Sequence, residues 1–408
     1  MVGAMKRLVP VLLGLLTLSF LVPTPGFAQD KVAVTLKVFP PEYELFFQGD
    51  RLPYSPKGEG LRTYQLPLGT NRVNLTAPAS APLSLSLEVK AGMAVVQAKL
   101  EPRLGPLDLV GEAATGKLPR SVAFAKDGKL LFVALQGEPG IEVFDIPSLK
   151  KRERMIPSEP GTTGFSDVMT LGNEVWAVQK DGRVHIFDGT TLAFKESKAL
   201  AGSGNTYLTD LGGGKVALAN WDNLQLLAVD AALRTPSGRI STGGSLRGFA
   251  FGQGVGYATL FDKGQIAVID VATWKVRTTW NAGKAPRPLA VVGSTLFVGD
   301  MGSAQVLLLD AAGKTTKTVS VPSNPHAMAV SLNQTRIAVA SRGRNNTTDY
   351  QLPGPDFGKV TILDAQGRIL GSVWGRNQPT GLAFSPDGKY LAFTDFLDNN
   401  LELYRVVQ

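Results

Sequence analysis

Residues 118–146 read LPRSVAFAKDGKLLFVALQGEPGIEVFDI, and residues 378–406 read QPTGLAFSPDGKYLAFTDFLDNNLELYRV. Both run in the same order: a lead-in loop, an apolar stretch, an Asp-Gly pair, a second apolar stretch, a polar loop and a third. Apolar alternation on either side of Asp-Gly is the pattern of a β-hairpin closed by a tight turn. Between the two copies the phrase recurs with looser spelling. The third stretches end at Val143-Phe144-Asp145, Ile186-Phe187-Asp188, Ala228-Val229-Asp230, Val268-Ile269-Asp270, Leu308-Leu309-Asp310, Ile362-Leu363-Asp364 and Leu403-Tyr404-Arg405, at intervals of 43, 42, 40, 40, 54 and 41.

A period of about 40–45 residues with several strands per unit is the pattern of a propeller blade. The expected fold is therefore all-β: a seven-bladed β-propeller over 106–408, preceded by a small β-sandwich domain over 30–103. Six units have a fourth segment after the Asp, such as 150–156 and 274–280. The seventh lacks one because the chain ends at Gln408. Residues 107–112, LDLVGE, are expected to supply the outer strand of the last blade and so join the two ends of the ring.

The totals fit this reading. In 408 residues, 44% are hydrophobic and 19% charged, enough for a large core, and 45 Gly with 26 Pro furnish many turns. With no cysteine, disulfides, thiolate metal ligands and a cysteine nucleophile are excluded. The net charge of +8 is spread along the chain. Its densest cluster, Lys150, Lys151, Arg152 and Arg154, falls beside an outer strand, where charge blocks edge-to-edge pairing. No aromatic interleaving accompanies it, so a nucleic-acid partner is not expected.

Residues 1–28 read as a signal peptide: Lys6 and Arg7, an apolar run over 8–22, and Gly26-Phe27-Ala28 before Gln29. Export to the periplasm, the cell surface or the medium follows, with no membrane span in the mature chain. Residues 30–103 keep a different rhythm. Val32, Val34, Leu36 and Val38 alternate, LPLGTNRVNL forms a turn and strand, and Leu83, Leu85, Leu87 and Val89 alternate again.

The phrases LPRSVAF, QPTGLAFSPDGKYLAF and VFD resemble YVTN and surface-layer type β-propeller repeats across some 300 residues. The nearest approach to the Tyr-Val-Thr-Asn phrase is Leu391-Ala392-Phe393-Thr394-Asp395, and the Trp-Asp and Gly-His marks of WD40 repeats are missing, the isolated Trp221-Asp222 falling after a second strand where the WD40 dipeptide would not. The first domain, with its Pro after the first strand and Gly69 in the central turn, resembles the PEGA domain, although Ala77-Pro78-Ala79 replaces the usual Gly-Tyr. That resemblance implies an adhesion or spacer module without a catalytic set.

Chemistry is concentrated where the repeat varies. Lead-ins to the inner strands carry Arg120, Arg247, Arg287 and His326, with Tyr207 and Thr380 in comparable places. The loops after the second strands share their face and carry Gln136, Trp221, Asp222, Asp262, Asp300 and Asp395. The long interval reflects an insertion at 342–357, RGRNNTTDYQLPGPDF, on that same face, bringing Arg342, Arg344, Asp349 and Tyr350. Arginine's planar fork suits carboxylate or phosphate, so Arg120, Arg247, Arg287, His326, Arg342, Arg344, Asp349 and Tyr350 are the candidates for ligand binding around a central funnel. The alternative is that each arginine pairs with an aspartate of a neighbouring blade and staples loops together.

His185, between apolar neighbours, is expected to be structural. No metal, cofactor or catalytic set is expected, since no nucleophile elbow, phosphate loop or His-Glu-x-x-His pattern occurs. The sequence favours a non-enzymatic binding or scaffold protein whose partner is a protein, peptide or cell-envelope polymer. An extracytoplasmic propeller enzyme, a lactonase or quinoprotein-like oxidoreductase, is the alternative, with a calcium ion at Asp262, Asp300 or Asp395 as its mark.

Overall fold

The computed structural model describes residues 30–407 apart from 40, 59, 78, 79, 81, 101–105, 160, 162, 353 and 355. The leader expected at 1–28 lies outside them. The described residues are strands and turns, with a single short helical turn at Phe261–Lys263. They divide into two compact units, 1–103 and 104–408.

In the first unit, Lys31–Phe39 pairs antiparallel with Leu61–Pro67 and parallel with Val96–Lys99. A second sheet orders Asp50–Arg51, Glu44–Phe47, Gly69–Thr76 and Leu83–Val89. The alternation seen in the sequence places Val34, Leu36, Leu45, Tyr64, Leu66, Val73 and Leu75 in one buried cluster shared by the two sheets. Arg62 lies over the rings of Tyr43 and Tyr54 and donates to the Tyr43 and Pro41 carbonyls, fixing the turn between the sheets.

The second unit contains seven antiparallel sheets among the described residues. Their first strands are Pro119–Phe124, Phe165–Leu171, Thr206–Gly212, Leu246–Gly252, Pro286–Val292, Pro325–Val330 and Pro379–Phe384. Each first strand lies against the next, and the seventh lies against the first, so the seven form a closed cycle. Close approach is built in at glycines: a Cβ on Gly248 would sit 2.3 Å from the Arg287 carbonyl oxygen, and one on Gly381 would sit 3.0 Å from the Ser121 Cα. Strand Leu107–Ala114 pairs with Asn400–Val406 as the fourth member of the seventh sheet, and Arg376 of that sheet reaches Glu112 at 2.6 Å.

The sheets stack through both faces. Leu130–Leu135 is buried at every position, which is why LLFVAL is continuously apolar rather than alternating. Phe132, Val143, Phe165 and Val175 form one cluster between the first and second sheets; Val122, Leu131, Phe144 and Leu401 form another between the first and seventh. Each fully buried side chain of this size contributes about 1.5–3 kcal/mol.

The repeated third-strand aspartate is explained by turns. Asp188, Asp230 and Asp270 each accept amide hydrogen bonds from the residues two and three further on at 2.8–2.9 Å. Asp127 and Asp387 likewise accept from Lys129 and Lys389, beside Gly128 and Gly388 with φ of 73° and 70°.

One expectation needs correction. The segment after Asp145, expected as a fourth strand over 150–156, is not a continuous strand: it meets its sheet through the isolated bridges Phe144–Lys151 and Ile141–Met155 and a few backbone hydrogen bonds, such as Arg152 to the Val143 carbonyl at 2.8 Å. Two of its basic side chains, exposed Lys151 and half-buried Arg154, reach the buried Glu142 at 2.9 and 2.8 Å. Those ion pairs supplement an interrupted set of backbone hydrogen bonds along this edge.

Candidate functional site

The second residues of the seven first strands occupy equivalent positions: Arg120, Ser166, Tyr207, Arg247, Arg287, His326 and Thr380. In six of the sheets the pairing register breaks at this residue; the Thr206 sheet is the exception. A bulge re-aims a side chain that a regular strand would point into the stack of sheets. The variable lead-in position is thereby directed at the centre of the cycle.

There the structure assembles a cationic layer. Arg120 donates to Gln136 Oε1 at 2.8 Å and to the Tyr207 hydroxyl at 3.3 Å, while Arg287 reaches the same hydroxyl at 3.3 Å from the far side. Arg247 stacks on Trp221 and lies 4.2 Å from the centroid of Phe261. Arg342, from the insertion, lies 5.7 Å from the ring centroid of Tyr350 and 5.3 Å from that of Phe396. Arg120, Arg287, Arg342 and His326 are 4–8% exposed. A cavity of about 190 Å³ has Arg120, Asp167, Tyr207, Arg247 and His326 on its wall with the apolar Leu208, Phe249, Leu289 and Leu382 around it; Arg287 and Arg342 do not line it.

Among the described residues these four arginines make no ion pair. The aspartates that would staple them are engaged elsewhere. Asp222 accepts the Asn205 amide, Asp262 the Ser245 amide, Asp300 the Lys284 and Ala285 amides, and Asp395 the Arg376 amide. Each ties down the lead-in loop of its own sheet. Asp167, on the cavity wall, accepts from Ser121 Oγ and from the Leu208 and Val168 amides, at 2.5, 2.8 and 3.0 Å.

Electrostatics register the imbalance. Burial, then the neighbouring Arg287, lowers the Arg247 guanidinium to about 9; burial lowers Arg287 to about 10. Arg342 is driven well down by burial and by Arg287 and Arg120. Burial, with Arg287 and Arg342 behind it, holds His326 well below the usual histidine value and so neutral. Burial pushes the Tyr207 phenol up, but Arg287, Arg120 and Arg247 together outweigh it and its value falls. A guanidinium keeps its proton in proteins. These downward shifts share one direction and one leading cause: burial, with the neighbouring cations behind it, opposes the charged form.

Donors remain unmet. Arg247 Nε, Arg287 Nε, Arg342 Nε and Nη2, and both ring nitrogens of His326 are buried without a hydrogen-bond partner.

The remaining sequence candidates fall outside this layer. Arg344 is exposed and forms a bidentate pair with Asp356 within the insertion, at 2.5 and 3.0 Å. Asp349 accepts the Gln351 amide and closes a turn. Tyr350 is 43% exposed, and its carbonyl accepts from Gln378 Nε2 at 2.6 Å, tying the insertion to the seventh sheet. Sequence reading passed over Asp167, which resembles any strand aspartate until its position after the bulged Ser166 is seen. Asp262, Asp300 and Asp395 hold loops, and no cluster of three metal-ligating side chains occurs among the described residues. His185 is buried between Gln179 and Ser197, at 2.8 and 2.6 Å.

Fold and layer together define an all-β, propeller-like protein with a buried cationic centre. A chain from the crystal structure of a mitotic checkpoint complex shares the fold, with a TM-score of 0.62 and 15% identity over 79% of this chain and 98% of that one. In sequence the chain is similar to Antigen Lp49 of Leptospira interrogans, 29% identical over 316 residues, spanning 71% of this chain and 68% of the relative. No family model matches.

Proposed function

We propose that the chain is an exported binding or scaffold protein of the YVTN type: a seven-bladed propeller whose funnel recognises an anionic partner, carried behind a PEGA-like sandwich that spaces or anchors it. The observation carrying this reading is the layer of buried Arg120, Arg287 and Arg342 with half-buried Arg247, whose charges have no ion-pair partner among the described residues. Such a layer costs stability, and an arriving anion offsets that cost. The seven sheets, the cycle of first strands and the pairing of 107–114 with 400–406 support a closed ring. The relative's description as an antigen is compatible with an exposed location. Tyr350, at the insertion, is the aromatic contact offered at the rim.

The partner is a protein, peptide or envelope polymer bearing carboxylate or phosphate. The test is surface plasmon resonance of the full chain against an acidic peptide and an anionic cell-wall polymer. Binding is expected to weaken as salt rises and to drop about tenfold or more when Arg287 and Arg342 become Gln. Salt-independent binding untouched by those changes would overturn the reading.

A further inference from the structure

We propose that the arginine layer holds an oxyanion that carries its own hydroxyl, such as hydrogen phosphate or a hydroxycarboxylate, with His326 accepting the hydrogen bond from that hydroxyl. This deepens the binding reading above and rests on it, by naming the chemical group the funnel takes.

Two sets of unmet groups lead to this conclusion. The first is donors only. Arg247 Nε, Arg287 Nε and two nitrogens of Arg342 are buried without acceptors, and the aspartates within range are held by backbone amides. Planar donors with no ion-paired carboxylate, beside a wall whose one carboxylate, Asp167, is taken up by Ser121 and two amides, match an oxyanion with two or more acceptor oxygens. The second set is His326. It is 8% exposed, lies on the cavity wall, and bonds through neither ring nitrogen. Among cations it stays neutral, so one nitrogen donates and the other accepts. The donor side suits an anion. The acceptor side needs an incoming O–H, because no N–H of the surrounding arginines reaches it.

A fully deprotonated anion fills the first set and leaves the histidine's acceptor orphaned. An oxyanion with an adjacent hydroxyl fills both. The cavity of about 190 Å³ accommodates such a compact group, and the Tyr207 hydroxyl, already accepting from Arg120 and Arg287, has its own proton to give.

Isothermal titration of the full chain in chloride buffer, with two matched pairs of probes, tests this. Inorganic phosphate is compared with sulfate, and citrate with tricarballylate, which lacks only citrate's hydroxyl. The hydroxyl-bearing member of at least one pair is expected to bind saturably, about tenfold or more tighter than its partner. The responding pair identifies the phosphate or the hydroxycarboxylate as the source. His326→Phe should erase the preference while leaving anion binding, and His326→Asn, which keeps a donor and an acceptor, should restore part of it. Arg287→Gln and Arg342→Gln should each weaken every probe.

Equal affinity within both pairs overturns the role of His326. Absence of saturable binding for all four probes up to about 1 mM overturns the oxyanion site. If peptide or polymer capture persists in that case, the broader binding reading stands and only this inference falls.

Discussion

Replacing Arg287 with Met should make the ligand-free protein more stable. The Arg287 side chain is 4% exposed, has no ion pair among the described residues, and leaves its Nε unbonded. Its value falls from 12.5 to about 10 through burial and the nearby cations. At 1.36 kcal/mol per unit that is about 3 kcal/mol spent to keep the charge in the folded chain. The sign follows from linkage. A base with a depressed folded value is disfavoured as a cation, and that cost persists across neutral pH until the pH climbs towards about 10.

Methionine fills similar space without charge. Against the relief stands the lost hydrogen bond to the Tyr207 hydroxyl, about 1 kcal/mol. The net gain is about 1–2 kcal/mol, or roughly 1.5–3 °C in melting temperature for a unit of this size. Differential scanning calorimetry in chloride buffer reads it directly. Added phosphate or citrate should raise the wild-type transition and move the variant less, since ligand stabilisation scales with occupancy. A variant that melts below wild type while keeping its circular dichroism would show that the charge is already compensated, and the reasoning behind the anion site would fail.

Acidic pH provides a second check. Burial lifts Asp398 to about 6 and Asp395 well above its usual value, with Glu402 adding to both. Raised folded values favour the folded chain as pH falls through about 6, whereas the buried, neutral His185 and His326 oppose it. The readout is therefore the melting difference between Asp398→Asn and wild type, expected to be larger at pH 7.5 than at pH 5.5; a difference independent of pH refutes the assignment. Deleting 106–116 removes the fourth strand of the seventh sheet and should abolish a single cooperative transition in calorimetry; an unchanged transition means the strand is dispensable. Arg344→Ala breaks an exposed pair with Asp356 and should cost less than about 1 kcal/mol, leaving anion titrations unaltered.

The sheets are legible in the sequence because each signal is local. Asp127-Gly128 demands a turn, Leu130–Leu135 demands burial on two faces, and the recurring aspartate is met by turn amides two and three residues on. The first sheet's irregular edge is not legible, because Lys151 and Arg154 look like solvated charges until Glu142 is placed beneath them.

The site divides the same way. The variable lead-in position stands out from the repeat. Whether its arginines are stapled or waiting depends on where distant carboxylates spend their oxygens. Asp222, Asp262, Asp300 and Asp395 each bond the lead-in amides of their own sheet, a commitment set by loop geometry rather than residue type. Arg344 and Arg342, two residues apart, illustrate the consequence: one finds Asp356 in solvent, while the other is buried beside Phe396 with two nitrogens unmet. Protein interiors rarely tolerate unpaired cations, so Arg120, Arg287 and Arg342, buried without an ion pair among the described residues beside the half-buried Arg247, are the basis of the proposed anion site.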